Sequence, residues 1–357
     1  MKVNSIPYRS IWRDDQTIKI IDQTRLPHEF SIVSLGSVND TYHAIHSMQV
    51  RGAPLIGATA AYGICLALKH QCDEASLNSA IDYLSSARPT AINLQWALKR
   101  MHNRLTANKK IYLTAAFQEA DTICNEDISQ NKKIGKFGYS YLKHISQKKS
   151  GNTVNVLTHC NAGWLATVDW GTALAPIYYA FNEGIDIHVW VDETRPRNQG
   201  AALTAWELQN HGVPCTVIVD NAGGHLMQNK LVDVCIVGTD RTVANGDVCN
   251  KIGTYLKALA AHDNNIPFLV ALPSSTYDNN LQHGRDVPIE NRDPHEVSNI
   301  RGVTTDNTWS ETRIVTNKTQ IANPAFDITP AKLITNYITD NGILKSDQLF
   351  RLSQVQE

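Results

Sequence analysis

What the chain is short of narrows its possibilities first. It carries almost no net charge, with 33 Lys and Arg against 34 Asp and Glu in 357 residues, a formal charge of −1. Such a balance gives no whole-molecule field to draw in nucleic acid or an anionic membrane, so any phosphate it binds must be held by a local cluster. None of the seven cysteines, at 65, 72, 124, 160, 215, 235 and 249, forms a C-x-x-C pair. Zinc ribbons and thioredoxin-type redox sites are thereby disfavoured, and free thiols in a reducing cytoplasm are the simpler expectation. Met1 to Thr24 has scattered charges and no apolar h-region, so no secretory signal is expected. The longest weakly polar run, Leu55 to Leu68, contains two glycines and is too short to cross a bilayer. No Gly-x-Gly-x-x-Gly follows a strand-like run and no Walker A motif occurs, which removes the usual support for dinucleotide or nucleoside triphosphate binding. The thirteen histidines include no H-E-x-x-H, there is no Asp-rich calcium loop, and no G-x-S-x-G marks a hydrolase elbow. Internal repeats and low-complexity tracts are also missing.

What is present has a globular balance, 42% hydrophobic and 19% charged, and at about 150 residues per domain the length suggests two domains. Thr17–Gln23 alternates like a strand, and the chain from there to about residue 145 reads mainly as helix. Within Ala91–Arg104 and just beyond it, Leu94, Leu98, Met101 and Leu105 fall on one stripe of an amphipathic helix, and residues 40–50 and 76–87 carry weaker helical patterns. The second half changes rhythm. β-branched runs at Thr153–His159, Ile187–Val191, Cys215–Val219, Val234–Val237 and Phe268–Leu272 alternate with helical stretches at Thr167–Glu183, Gln199–His211, His225–Lys230 and Lys251–Asp263. Strands alternating with helices imply parallel βαβ units covered on both faces. The expected fold is α/β: a mostly helical N-terminal domain, 1–145, with a short β segment at its start, then a Rossmann-like parallel-sheet domain, 146–357. The tail from about 345 is polar, the composition of a frayed end.

Ligands of open parallel sheets bind beyond the carboxyl ends of the strands, and there the unusual residues gather. The first strand is followed by His159-Cys160-Asn161-Ala162-Gly163, the second by a loop from Asp192 to Gly200 that includes Arg195, Arg197 and Gln199. The third leads into Asp220–His225, and the fourth into Gly238-Thr239-Asp240-Arg241 and then Asn250-Lys251. Cys160 reads equally as a small buried apolar residue or a reactive thiol. His159, its neighbour on a strand, should face the other way. Asp240 at the end of an apolar strand needs a partner or a task; Arg241 or a helix cap could supply the first. In the helical half, Arg51-Gly52-Ala53-Pro54 starts a helix whose N–H groups and dipole could receive an anion, with Arg51 adding a bidentate contact; an ordinary helix start with a solvated arginine is the plain alternative. Arg88 precedes a second helix start, and Lys251 is expected to open the helix after the fourth strand, where the dipole disfavours a cation unless an anion is present. Together these suggest a phosphorylated small substrate.

At these residues a family becomes recognisable. Arg51–Gly57, Arg88-Pro89-Thr90-Ala91-Ile92-Asn93-Leu94, His159–Gly163, Val191–Ala201, Gly238–Arg241 and Asn250-Lys251-Ile252-Gly253-Thr254 resemble the S-methyl-5-thioribose-1-phosphate isomerases, of a superfamily shared with the regulatory subunits of translation initiation factor 2B and ribose-1,5-bisphosphate isomerase. The likeness runs from Asp22-Gln23-Thr24 to Asn323–Pro330, nearly the whole chain. It implies an aldose–ketose isomerase of methionine salvage, a homodimer acting on a small sugar phosphate with no metal or organic cofactor, to which the charge balance and free thiols add the expectation of a cytoplasmic protein with no nucleic-acid or membrane partner. By motif it implies Cys160 and Asp240 as the catalytic pair, and Arg51, Gly52, Ala53, Arg88, Gln199, Asn250 and Lys251 as substrate contacts. Ala162 and Trp164 depart from the Thr and smaller residue found in many relatives, which puts the shape of the pocket in question. The rival expectations are an isomerase of another 5-substituted ribose 1-phosphate, such as 5-deoxyribose 1-phosphate, and a non-catalytic regulatory protein that binds a sugar phosphate. A dinucleotide-dependent oxidoreductase is the third, opposed by the missing glycine fingerprint.

Overall fold

A computed structural model describes residues 1–89, 91–107 and 110–355; Thr90, within the Arg88–Leu94 run, lies outside them. The chain opens with a two-stranded pair, β1 (Lys2–Val3) and β2 (Ile6–Pro7), and an antiparallel meander of β3 (Ile11–Asp14), β4 (Thr17–Ile21) and β5 (Ile32–Leu35). Five helices follow: α1 (Val38–His46), α2 (Ala53–Leu68), α3 (Glu74–Ser85), α4 (Ile92–Thr106) and α5 (Leu113–Lys148). Helix α2 is apolar around its whole circumference and is correspondingly buried on nearly every side. The stripe on α4 behaves as its spacing predicts, with Leu94, Leu98, Met101 and Leu105 all buried in the core around α2. Helix α5 has 36 residues and is therefore about 54 Å long. Its first half, with Phe117 and Ile123, packs in that core; its second half, with Ile134 and Leu142, packs in the core under the large sheet.

The sheet half contributes β6 (Val154–Thr158), α6 (Ala175–Asn182), β7 (Ile187–Asp192), a π-turn at Gly200–Thr204 running into α7 (Ala205–His211), β8 (Cys215–Ile218), α8 (Ala222–Gln228) and β9 (Val234–Val237). Then come β10 (Arg241–Val243), β11 (Val248–Lys251), α9 (Thr254–Asp263), β12 (Phe268–Leu272), β13 (Tyr277–Asp278), α10 (His295–Ser298), the hairpin β14 (Asn299–Val303) and β15 (Trp309–Arg313), β16 (Phe326–Thr329), β17 (Asn336–Thr339) and β18 (Gly342–Leu344). The main sheet has the order β18-β17-β12-β9-β6-β7-β8, parallel throughout except for the β17–β18 hairpin at its edge. The chain runs outward from β6 through β7 to β8, returns to β9 on the other side of β6, and runs outward again. Between β6 and β9 the winding therefore reverses, and the loops that leave these neighbours part in opposite directions and open a crevice.

Three expectations need correction. The helix expected over Thr167–Glu183 begins only at Ala175: Trp170 and Gly171 both have positive φ, and a Cβ on Gly171 would lie 2.3 Å from the Gly163 carbonyl carbon. Lys251 does not open a helix. It ends β11, part of a second sheet ordered β13-β10-β11-β16, and α9 starts three residues later. The tail is not frayed over its described length, because Ser346–Val355 forms a 3-10 helix that buries Leu349 and Leu352.

Candidate active site

The reversal of winding puts the end of β6 beside the end of β9, so Cys160 and Asp240, eighty positions apart in sequence, line one cavity. Arg51, Gly52, Ala53 and Asn250 line it too. Cys160 has φ +67°, a left-handed conformation in which a non-glycine residue costs about 1–2 kcal/mol. Its neighbours over-determine it: the Cys160 N–H donates to Thr194 Oγ1 at 2.8 Å, and its carbonyl accepts from Thr204 Oγ1 at 2.7 Å. The residue is 8% exposed and its thiol faces Gln199 Oε1 at 3.5 Å. Burial raises the thiol pKa; Arg51 and Lys251 pull it back and the charge of Asp240 pushes it up again, leaving it above the ordinary thiol value. At neutral pH Cys160 thus carries its proton. Asp240 is half-buried and also borders an adjoining cavity with Arg88, Arg241 and Phe326.

The helical half supplies the other wall. Gly52 caps α2 with φ +96°, and a Cβ there would lie 2.4 Å from the Ala166 carbonyl oxygen, so only glycine lets the helix start come this close. No side chain caps the first turn of α2, and Gly52, Ala53 and Pro54 border the cavity, which presents the positive end of a 16-residue helix to it. Around this end stand four cations. Arg51 is buried against Asn161. Lys251 donates to the Ala325 carbonyl at 2.8 Å and lies 4.6 Å from the centre of the Phe326 ring, whose face Arg292 also approaches, at 5.6 Å. Glu290 pairs with Arg292 at 3.2 Å and with Arg88 at 3.4 Å. Burial lowers the pKa of Lys251 to about 8, with Arg292 adding to the effect, and burial likewise lowers those of Arg51 and Arg88. Burial opposes ionisation of Glu290, yet Arg292 and Arg88 hold its carboxyl below the usual range. Mutual crowding of buried cations is the electrostatic state that a bound anion relieves.

The other predicted residues sit at the margins of this arrangement. Gln199 is buried between Cys160 and a larger cavity, bordered by Arg51, Met48, Leu203 and Trp309. Asn250 donates to Thr254 Oγ1 at 3.0 Å, which braces the turn into α9. Of the two departures from the family pattern, Ala162 lines the cavity, whereas the Trp164 ring is buried near that of Trp206 in the core under the sheet. His159 is turned to other work. Its Nδ1 meets Asp192 at 2.8 Å and its Nε2 meets the Ile252 carbonyl at 2.8 Å, so no ring nitrogen is left for Cys160. Among the described residues His159, Asp192 and Asp220 are the group that could surround a metal, but the Lys257 ammonium lies 3.1 Å from Asp192 and already supplies a cation there.

Sequence reasoning missed Arg292, Glu290 and Glu207. The first two lie in a charged loop with no periodicity to mark it. Glu207 had a usable signal, a carboxylate set among Ala205, Trp206 and Leu208 at the start of a helix, where burial of one charge is costly without several donors.

Comparisons with known proteins agree with one another. Residues 49–346 match the Initiation factor 2 subunit family. A methylthioribose-1-phosphate isomerase of Paramagnetospirillum magneticum is 56% identical over 350 residues, 97% of this chain and 96% of that one. One from Gluconobacter oxydans is 56% identical over 348 residues, 96% of this chain and 95% of its own. Among solved structures, the 5-methylthioribose 1-phosphate isomerase of Pyrococcus horikoshii OT3 superposes with a TM-score of 0.84 at 38% identity, covering 98% of this chain and 96% of that one. A protein described as translation initiation factor eIF-2B, subunit delta, from A. fulgidus gives 0.80 at 37% identity, covering 98% and 99%.

Proposed function

Because the chain belongs to the Initiation factor 2 subunit family, on the branch of the methylthioribose-1-phosphate isomerases, we propose that it converts S-methyl-5-thioribose 1-phosphate into S-methyl-5-thioribulose 1-phosphate, an intramolecular oxidation and reduction within methionine salvage. The observation that carries the proposal is that the Cys160 thiol and the Asp240 carboxyl line one cavity, beside a cluster of Arg51, Lys251, Arg88 and Arg292, the first two buried, with Glu290 among them.

The chemistry follows from these parts. An aldose 1-phosphate has its carbonyl locked in a cyclic acetal, so the ring must open before hydrogen moves from C2 to C1. In its protonated form Asp240 gives its proton to the ring oxygen, and the carboxylate so formed then serves as base at the sugar. Cys160, kept as a thiol by burial, stands at C1–C2, either carrying a proton through an enediolate or polarising a direct hydride shift. Arg51, Arg88, Lys251 and Arg292, with the start of α2 at Gly52 and Ala53, hold the phosphate, whose charge is unchanged in the reaction. Gln199 and Asn250 orient the sugar from the far side.

Incubating the full-length protein with methylthioribose 1-phosphate and following ketose formation tests the reading. No ketose from that substrate, or a higher kcat/KM on 5-deoxyribose 1-phosphate, overturns it. A C2-deuterated substrate then separates the two routes: label kept wholly at C1 marks hydride transfer, and washout marks the proton route. We also place the protein in the cytoplasm, which its seven free cysteines suit. We read it as two folding units, 1–145 and 146–357; the core around α2 comes from the first apart from Val168, while the core under the sheet also takes Val3, Ile21, Leu26, Ile134 and Leu142 from it. Finally, we expect a homodimer formed through the exposed Tyr255, Leu256 and Leu259 of α9, together with Val217 and Val219 at the sheet edge. Leu256→Lys should then yield monomers in sedimentation.

A further inference from the structure

Beside the site lies a buried carboxylate that the chemistry above does not use. Glu207, on α7, is 0% exposed and accepts four hydrogen bonds. Its Oε1 takes Asn161 Nδ2 at 2.9 Å and the Leu165 N–H at 3.0 Å; its Oε2 takes the Trp164 N–H at 2.9 Å and the Tyr178 hydroxyl at 2.8 Å. The packing is tight enough that a Cβ on Gly163 would lie 1.8 Å from Oε2.

A carboxylate can only accept, so Asn161 must turn its NH2 toward Glu207 and its Oδ1 the other way. That oxygen receives Arg51 Nη1, and the Asn161 carbonyl receives Arg51 Nη2 at 2.6 Å. The guanidinium is therefore gripped by two neutral acceptors, with the balancing carboxylate one residue further back. A carboxylate placed directly on Arg51 would hold it as firmly but would compete with an incoming anion. We propose that Glu207 is a positioning residue for anion binding: by fixing the Asn161 amide it holds Arg51 in place while leaving its charge available to the sugar phosphate. The idea rests on the isomerase reading only for the identity of that anion.

The test uses the full chain, with inorganic phosphate as a probe in calorimetry and methylthioribose 1-phosphate for kinetics. Glu207→Ala should weaken phosphate binding and raise KM by about 10- to 100-fold, the worth of a charge-assisted hydrogen bond, while kcat changes by less than about threefold. Glu207→Gln should recover part of the affinity, because its oxygen still accepts from Asn161 and the Leu165 N–H and the Tyr178 hydroxyl rotates to meet its NH2, although the Trp164 N–H loses its acceptor. On an Asn161→Ala background, Glu207→Ala should add nothing, since the route to Arg51 is already cut. Unchanged phosphate affinity in Glu207→Ala, or a full-sized further loss on the Asn161→Ala background, overturns the proposal. If circular dichroism shows Glu207→Ala unfolded, the pair Asn161→Asp with Glu207→Gln exchanges donor and acceptor in one step. That double variant keeps an oxygen toward the Trp164 N–H and the Tyr178 hydroxyl and loses only the acceptor of the Leu165 N–H, so it should stay folded yet bind phosphate about tenfold more weakly, because a carboxylate then sits on Arg51; parental affinity overturns the idea. Phosphate binding that depends on Glu207 in a protein that isomerises no sugar phosphate would leave this role standing and remove the isomerase reading instead.

Discussion

Cys124, in the helical half, and Cys160, just past the carboxyl end of β6, are both buried, and in both cases burial raises the thiol pKa. Their surroundings then diverge. Cys124 sits on α5 in an apolar core beside Tyr62, and nearby Asp127 and Asp121 help drive its pKa up to about 12. Cys160 lies in a left-handed turn that lines a cavity, and Arg51 and Lys251 offset part of the burial effect. Burial alone therefore does not tell a structural cysteine from a chemical one. The distinction lies in where the backbone turns and which charges face the sulfur.

The strongest test of that contrast is to remove the chemistry. Cys160→Ser and Asp240→Asn should each lower kcat by about 10²- to 10⁴-fold, the range for a positioned proton carrier, with circular dichroism unchanged. A kcat within tenfold of the parent in either variant would make Cys160 another Cys124. A smaller effect comes from the cations that separate the two sites. The pKa of Lys251 lies at about 8 in the fold, lowered from its ordinary 10.5. Above that pH it loses the charge an anion needs, so phosphate affinity should fall as pH rises through about 8, and Lys251→Met should abolish this limb. The same depression means that Lys251 favours the ligand-free fold most when neutral, above the unfolded value, and that this contribution is lost as pH falls through about 8. Calorimetry across pH 6.5–9.5 reads the binding limb; a flat profile would deny Lys251 its place at the anion. Next, Cys124→Ser should cost about 1–3 kcal/mol of stability by burying a hydroxyl, read in urea melts, with kcat per folded molecule intact. Smallest of all, the exposed Cys72→Ser should change stability by less than about 0.5 kcal/mol.

The contrast also shows what was legible beforehand. The five parallel runs and the α4 stripe could be read because each rests on local periodicity. Cys160 and Asp240 drew attention because both follow apolar runs, and the strand order brings them together. Lys251 was misread: Asn-Lys-Ile-Gly-Thr looks like a helix start, but Gly253, with φ +104°, breaks the chain between strand and helix, and a Cβ there would meet the His159 ring at 2.9 Å. The second sheet was invisible because β11, Val248–Lys251, takes its outer partner Phe326–Thr329 from far along the chain, while β10, Arg241–Val243, pairs on its other side with Tyr277–Asp278. Glu207 gains its meaning from Asn161, 46 positions away, and the neighbouring pair Glu290 and Arg292 gains its own from Arg88 and Phe326, which no short window of sequence brings beside them.

Helix α2 comes to rest against the 164–166 turn because residue 52 has no side chain, and this seam has a mechanical outcome. Arg51 and Arg88 stand on one bank of it, Cys160 and Asp240 on the other. A ligand gripped from both banks is a rivet through two plates. Saturating it should raise the melting point of the whole chain as one event and slow amide exchange on both banks together, in proportion to the logarithm of ligand over its dissociation constant.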